Sequence, residues 1–139
     1  MISETFDLLL NKKNCSGRGV RIRVVGPYAC EQAERTAAKL ASKDATAREM
    51  AGLRAVELLK VTVLAVTQTS GMKTREQMLE LPASDWQTYS LVDFEKGKLD
   101  EQFTAKDYSI LTVLMSRLYD VTTDELDDIM GGMLPVSTG

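Results

Sequence analysis

Apolar positions recur along this chain in two rhythms. Val20-Arg21-Ile22-Arg23-Val24-Val25 alternates apolar with basic residues, the period-two pattern of a strand with one buried face. It predicts Val20, Ile22 and Val24 inward and the two arginines outward. The apolar run before it, within residues 3–10, has no decisive period. If extended, that run pairs with the first strand as a small hairpin, which must then lean on helices. Asn11 to Gly19, with two asparagines and two glycines, reads as the loop between them.

From Gly26-Pro27 onward the rhythm is helical, with proline at the favoured first position. Cys30, Ala33, Ala37, Leu40 and Ala41 form a narrow inner stripe, while Glu31, Glu34, Arg35 and Lys39 face water. Glu31 and Arg35 are spaced for an ion pair one turn apart. Thr46-x-x-Glu49, Thr74-x-x-Gln77, Ser84-x-x-Gln87 and Thr122-x-x-Glu125 have capping-box form, and Thr104-x-x-Asp107 is a looser version. Each stands just ahead of an apolar stretch, so they predict several short-linked helices.

The most apolar stretch, 47–66, reads as the central core helix. Its β-branched run Val61-Thr62-Val63 leaves a strand as the alternative. Two short helices are expected at 75–81 and 84–94, parted by Pro82, with Trp86, Tyr89 and Phe94 anchoring them. Residues 95–98 read as a turn. Thr104 starts a helix to Tyr119 whose inner face is Tyr108, Leu111, Leu114, Met115 and Leu118. A last helix follows Thr122, with Leu126, Ile129 and Met130 inward, and stops at Gly131-Gly132. The expected fold is α+β and mostly α-helical. A short N-terminal β element (hairpin or strands, 1–26) packs on a helical bundle (27–132) in a single domain, followed by a tail at 133–139.

Composition narrows the chemistry. The chain has 139 residues, 44% hydrophobic and 27% charged, and contains no histidine. Histidine-based triads, general bases and metal ligands are therefore excluded. Cys15 and Cys30 lack the spacing of a zinc or redox pair, although a bridge between them is open in an oxidising setting. The carboxylates Asp120, Asp124, Glu125, Asp127 and Asp128 lack calcium-loop spacing and suit the positive end of a helix instead. Lys12-Lys13 with Gly17-Arg18-Gly19 is not a phosphate-binding Walker loop, because the Lys-Ser/Thr ending is missing. The expectation is a protein that is not an enzyme and has no cofactor or metal. No apolar run is long enough to span a membrane, and Met1 to Thr5 lacks the basic start of a secretion signal, so a cytosolic protein is expected.

Net charge is −3, yet residues 1–60 carry a balance of +4 and residues 61–139 a balance of −7. Such polarity suits head-to-tail self-association or a charged partner. Candidate partner-binding residues are Arg18, Arg21 and Arg23 on the basic strand, Trp86, and the pliable C-terminal segment with Met130, Met133 and Leu134. The three arginines also raise nucleic acid as a partner, against which the overall acidity argues.

A strand ending in Gly-Pro, an alanine-rich helix and a central apolar helix come first. Phe103-Thr104-Ala105-Lys106-Asp107 then leads into a leucine-rich helix, and Leu118-Tyr119-Asp120-Val121-Thr122-Thr123-Asp124-Glu125-Leu126 closes the series. Over roughly residues 20–60 and 100–132 this layout resembles small tail proteins of tailed bacteriophages, the tail assembly chaperones in particular. The resemblance implies a non-enzymatic chaperone of tail assembly, acting in the host cytoplasm by binding tail or other virion proteins. A structural subunit of the virion (tail, neck or baseplate) is the alternative, and a small helical nucleic-acid-binding regulator is a second.

Overall fold

The computed structural model describes residues 5–89, 99–121 and 123–132. The fold is α+β and mostly helical. Strands β1 (Thr5–Leu9) and β2 (Gly19–Arg23) are followed by helices α1 (Pro27–Leu40) and α2 (Ala47–Thr62). Next come β3 (Val63–Thr67), α3 (Arg75–Leu79), a 3-10 turn at Ala83–Asp85 and β4 (Trp86–Thr88). Helices α4 (Leu99–Gln102), α5 (Ala105–Tyr119) and α6 (Thr123–Gly132) complete the described residues.

The four strands form one antiparallel sheet in the order β1-β2-β3-β4. β1 and β2 pair as the expected hairpin, with Leu8 opposite Val20 and Asp7 opposite Arg21. Val20 and Ile22 are buried as alternation predicts, while Val24, beyond the strand's end, is only half-buried. The helices cover this face of the sheet. α2 lies between α1 and α5, and Leu58, Leu59, Leu111 and Met115 join Val20, Ile22 and Val66 in the core.

The β element is larger than the N-terminal hairpin expected from the sequence. The central apolar stretch is not one helix over 47–66, because α2 ends at Thr62 and β3 takes over. Val63, Val66 and Thr67 are β-branched, and pairing with β2 on one side and β4 on the other decides the alternative in favour of strand. A buried, continuously apolar run carries no period that separates the two conformations.

The expected helix at 84–94 is also replaced, by the 3-10 turn and β4. Asp85 holds the exit of β3, its carboxylate accepting from Thr69 N at 3.2 Å and Thr69 Oγ1 at 2.7 Å. Its carbonyl accepts from Gln68 N at 2.8 Å, so the chain leaves alongside β3 as an edge strand. Phe94, the turn at 95–98, the cap at Thr122 and the tail at 133–139 lie outside the described residues.

Two further expectations fail on burial. Leu40 is 60% exposed, and Leu126, Ile129 and Met130, the expected inner face of the last helix, are each at least half exposed. The caps do better. Thr74 and Thr104 both make reciprocal capping boxes, and Thr46 accepts from Glu49 N at 3.1 Å.

The Thr104 box reaches beyond its own helix. Asp107 is fully buried; its Oδ2 accepts from Thr104 N at 2.9 Å, and both its oxygens accept from Ser16 N, at 3.1 and 3.2 Å. Thr104 Oγ1 donates to the carbonyl of Asn14 at 2.7 Å. The start of α5 is thus tied to the β1–β2 loop. Gly17 closes the other side of that loop at φ +73°, where an added Cβ would meet the Gly71 backbone at 2.5 Å. Asp107→Ala should lower unfolding free energy by about 2–4 kcal/mol, from a lost cap and an orphaned Ser16 N–H. Urea denaturation measures this, and Asp107→Asn, which keeps one acceptor, should cost less.

Candidate docking groove and its surroundings

α5 runs beside the edge strand β1 without closing against it. Between them lies an open groove of about 440 Å³, lined by Leu8, Leu9 and Leu10 on one wall and Ile110, Val113 and Leu114 on the other. Lys106 and Arg117 stand at the two ends of the helical wall, with Ser109 near one of them. They are eleven residues apart, three helical turns, so both fall on the stripe that carries Ile110 and Val113. Val113 is 57% exposed, large for an aliphatic side chain among the half-buried Ile110, Leu114 and Leu8. The groove is therefore an apolar trough with a cation at either end, and sequence reasoning missed it. The helical period pointed out α5's core face, whereas the groove depends on where β1 comes to lie.

The outer face of the sheet brings together two of the sequence candidates. Arg21 donates to Asp7 through Nε at 2.8 Å and a terminal nitrogen at 3.2 Å. Its guanidinium lies 4.1 Å from the centre of the Trp86 ring. Asp7 stabilises the charged guanidinium, outweighing the effect of burial. These three residues, with Met78, Leu79, Leu81 and Ala83, surround a shallow pocket of about 220 Å³. Arg18 sits elsewhere, donating to the carbonyls of Thr67 at 2.7 Å and Gln68 at 2.9 Å. Arg23 is exposed at the end of β2. Met130 lies on α6, apart from this cluster, and Met133 and Leu134 lie outside the described residues.

α5 is also held at its C-terminal end. Tyr119 OH shares a hydrogen bond of 2.6 Å with Thr62 Oγ1 and accepts from Val25 N at 3.1 Å. Arg54 on α2 bridges Glu34 on α1, at 2.8 Å, and Asp120 just past α5. From this fixed point α6 departs, and every described side chain from Asp124 to Met130 is exposed. Leu126, Ile129 and Met130 are 50%, 55% and 59% exposed and share one face of that helix.

No family model, curated protein or solved structure matches this chain. Among the described residues, no three His, Cys, Asp or Glu side chains gather at metal-binding distance. No helix among them is long and apolar enough to cross a membrane.

Both cysteines are free thiols. Burial, then the hydrogen bond and negative charge of Asp107, push the Cys15 thiol up. Burial also pushes Cys30 up, against the pull of Arg54. A raised thiol pKa leaves less thiolate at neutral pH, so both should react with Ellman's reagent about tenfold more slowly than glutathione at pH 7.5. The rate should rise about tenfold per pH unit above neutrality and still be rising at about pH 9, where an ordinary thiol begins to level off. For the sheet cluster, Arg21→Ala should cost about 1 kcal/mol of stability. It should also shift the fluorescence of Trp86, the single tryptophan. Arg21→Lys should keep part of the pairing with Asp7 but lose the flat stacking on the ring.

Proposed function

We propose that this chain is a non-enzymatic assembly protein of a bacteriophage tail, chaperone-like in action, working through protein–protein contact. The observation that carries the reading is α6, a ten-residue helix with exposed leucine, isoleucine and methionine on one face. A helix of this length is marginal in water by itself and gains stability by burying an apolar face. The open groove beside β1 is a second surface of the same kind. The layout shared with tail assembly chaperones supplies the biological setting: host cytoplasm during assembly, with tail or other virion proteins as partners. Nucleic acid fits less well, since Arg18 and Arg21 spend their guanidinium groups on backbone carbonyls and on Asp7.

The reading is tested in cells infected with the phage that encodes the chain. Quantitative mass spectrometry should find it in the lysate and not in purified particles. A fixed copy number per particle would overturn the chaperone reading in favour of a structural subunit of tail, neck or baseplate. Tight binding to duplex DNA that weakens steeply with salt would overturn both.

A further inference from the structure

We propose that α6 of one copy docks into the β1–α5 groove of a second copy, linking chains head to tail. The inference rests on the reading of this protein as one that acts by protein contact, and it names the first partner as the chain itself.

Three features of the two surfaces match. The first is length. The helical wall from Lys106 to Arg117 spans about 16 Å, and the ten residues of α6 span about 15 Å. The second is apolar content. The groove offers Leu8, Ile110, Val113 and Leu114 with almost no polar lining, and α6 offers Leu126, Ile129 and Met130 along one stripe. The third is charge. The groove ends in Lys106 and Arg117, while α6 carries Asp127 beside its apolar stripe and Asp124 and Asp128 on its opposite face. Among the described residues none of these five side chains is engaged in an ion pair.

The contact joins two different surfaces, so it is heterologous. Each copy that docks its α6 leaves its own groove open for the next. Only residues 120–122 separate α5 from α6. Arg54 holds Asp120 at that connector, the apolar stripe of α6 is exposed, and no residue of α6 lines its own groove. The occupant is therefore a neighbour's helix.

The test uses the full chain in sedimentation velocity between about 1 and 200 µM, at low and high salt. Wild type should grow past the dimer with concentration, and the apparent association constant should fall at least tenfold at high salt. Val113→Asp spoils the groove and Ile129→Asp spoils the helix. Both positions are more than half exposed, so circular dichroism should show each variant folded. Each alone should be monomeric. Mixed in equal amounts, they should form a single heterodimer and nothing longer, because one contributes an intact helix and the other an intact groove. Arg117→Glu, at an exposed helix position, serves as a second groove variant should Val113→Asp not fold.

A monomeric wild type at the highest concentration would overturn the proposal, as would a dimer that survives either substitution. Variants that fail to complement would also overturn it, since that is the behaviour of a symmetric interface. The functional reading fails separately, on the particle composition. A monomer that is absent from virions sinks this pairing and leaves the chaperone, whereas a complementing chain retained in virions does the reverse.

Discussion

The buried carboxylate of Asp107 is the constraint on which the rest of the architecture depends. A helix start leaves backbone N–H groups without partners, and Asp107 and Thr104 satisfy two of them reciprocally. The same two side chains then take a third N–H, from Ser16, and satisfy the carbonyl of Asn14. One cluster therefore caps α5 and fixes the β1–β2 loop against it. Since β1 leads directly into that loop, its distance from α5 is set there. The groove exists because the loop is tied at the helix end while the strand beyond it is left at the edge of the sheet. An apolar residue at 107 would leave Ser16 N–H buried and unpaired, which costs more than the absence of a bond.

The far end of α5 is held by different chemistry. Tyr119 joins Thr62 and Val25, so helix α2, the β2–α1 connection and α5 meet at one hydroxyl. Arg54 adds α1 and the connector to α6 through Glu34 and Asp120. Its guanidinium has two carboxylates within reach and is three-quarters buried, a setting in which paired charge is worth more than at an open surface. With both ends of α5 fixed, the stripe from Lys106 to Arg117 is a rigid wall. Rigid presentation matters for docking, because little conformational freedom remains to be lost on contact.

Local chemistry was legible in the sequence wherever one rule governed the outcome. Alternation found β2, Gly26-Pro27 found the start of α1, and the Thr-x-x-Gln and Thr-x-x-Asp patterns found two capping boxes. Legibility failed where a distant partner decided. Val63 to Thr67 became strand because β2 and β4 were there to pair with it. Ser84-x-x-Gln87 has the letters of a cap, yet Asp85 was drawn to Thr69 and the segment turned into β4. Arg21 and Trp86 were singled out separately, and their stacking across 65 residues of chain follows only from the order of the strands. The stripe Leu126, Ile129 and Met130 was read correctly as one apolar face. Its direction was the error, because periodicity shows that a face is apolar and says nothing about what it meets.

That last distinction bears on how such a protein behaves. An apolar face on an isolated ten-residue helix contributes nothing to the stability of its own chain while it remains in water. Its worth appears only on contact, and the same holds for the open trough beside β1. A chain carrying two complementary surfaces can satisfy them internally or between copies. The choice rests on the connector. A long, loose linker would favour folding back, since closing even a long loop costs little entropy compared with association. Here the connector is three residues long, and Asp120 is bound to Arg54. In this fold the stripe of α6 is exposed and none of its residues lines the trough, so the internal solution is not taken and the external one is open.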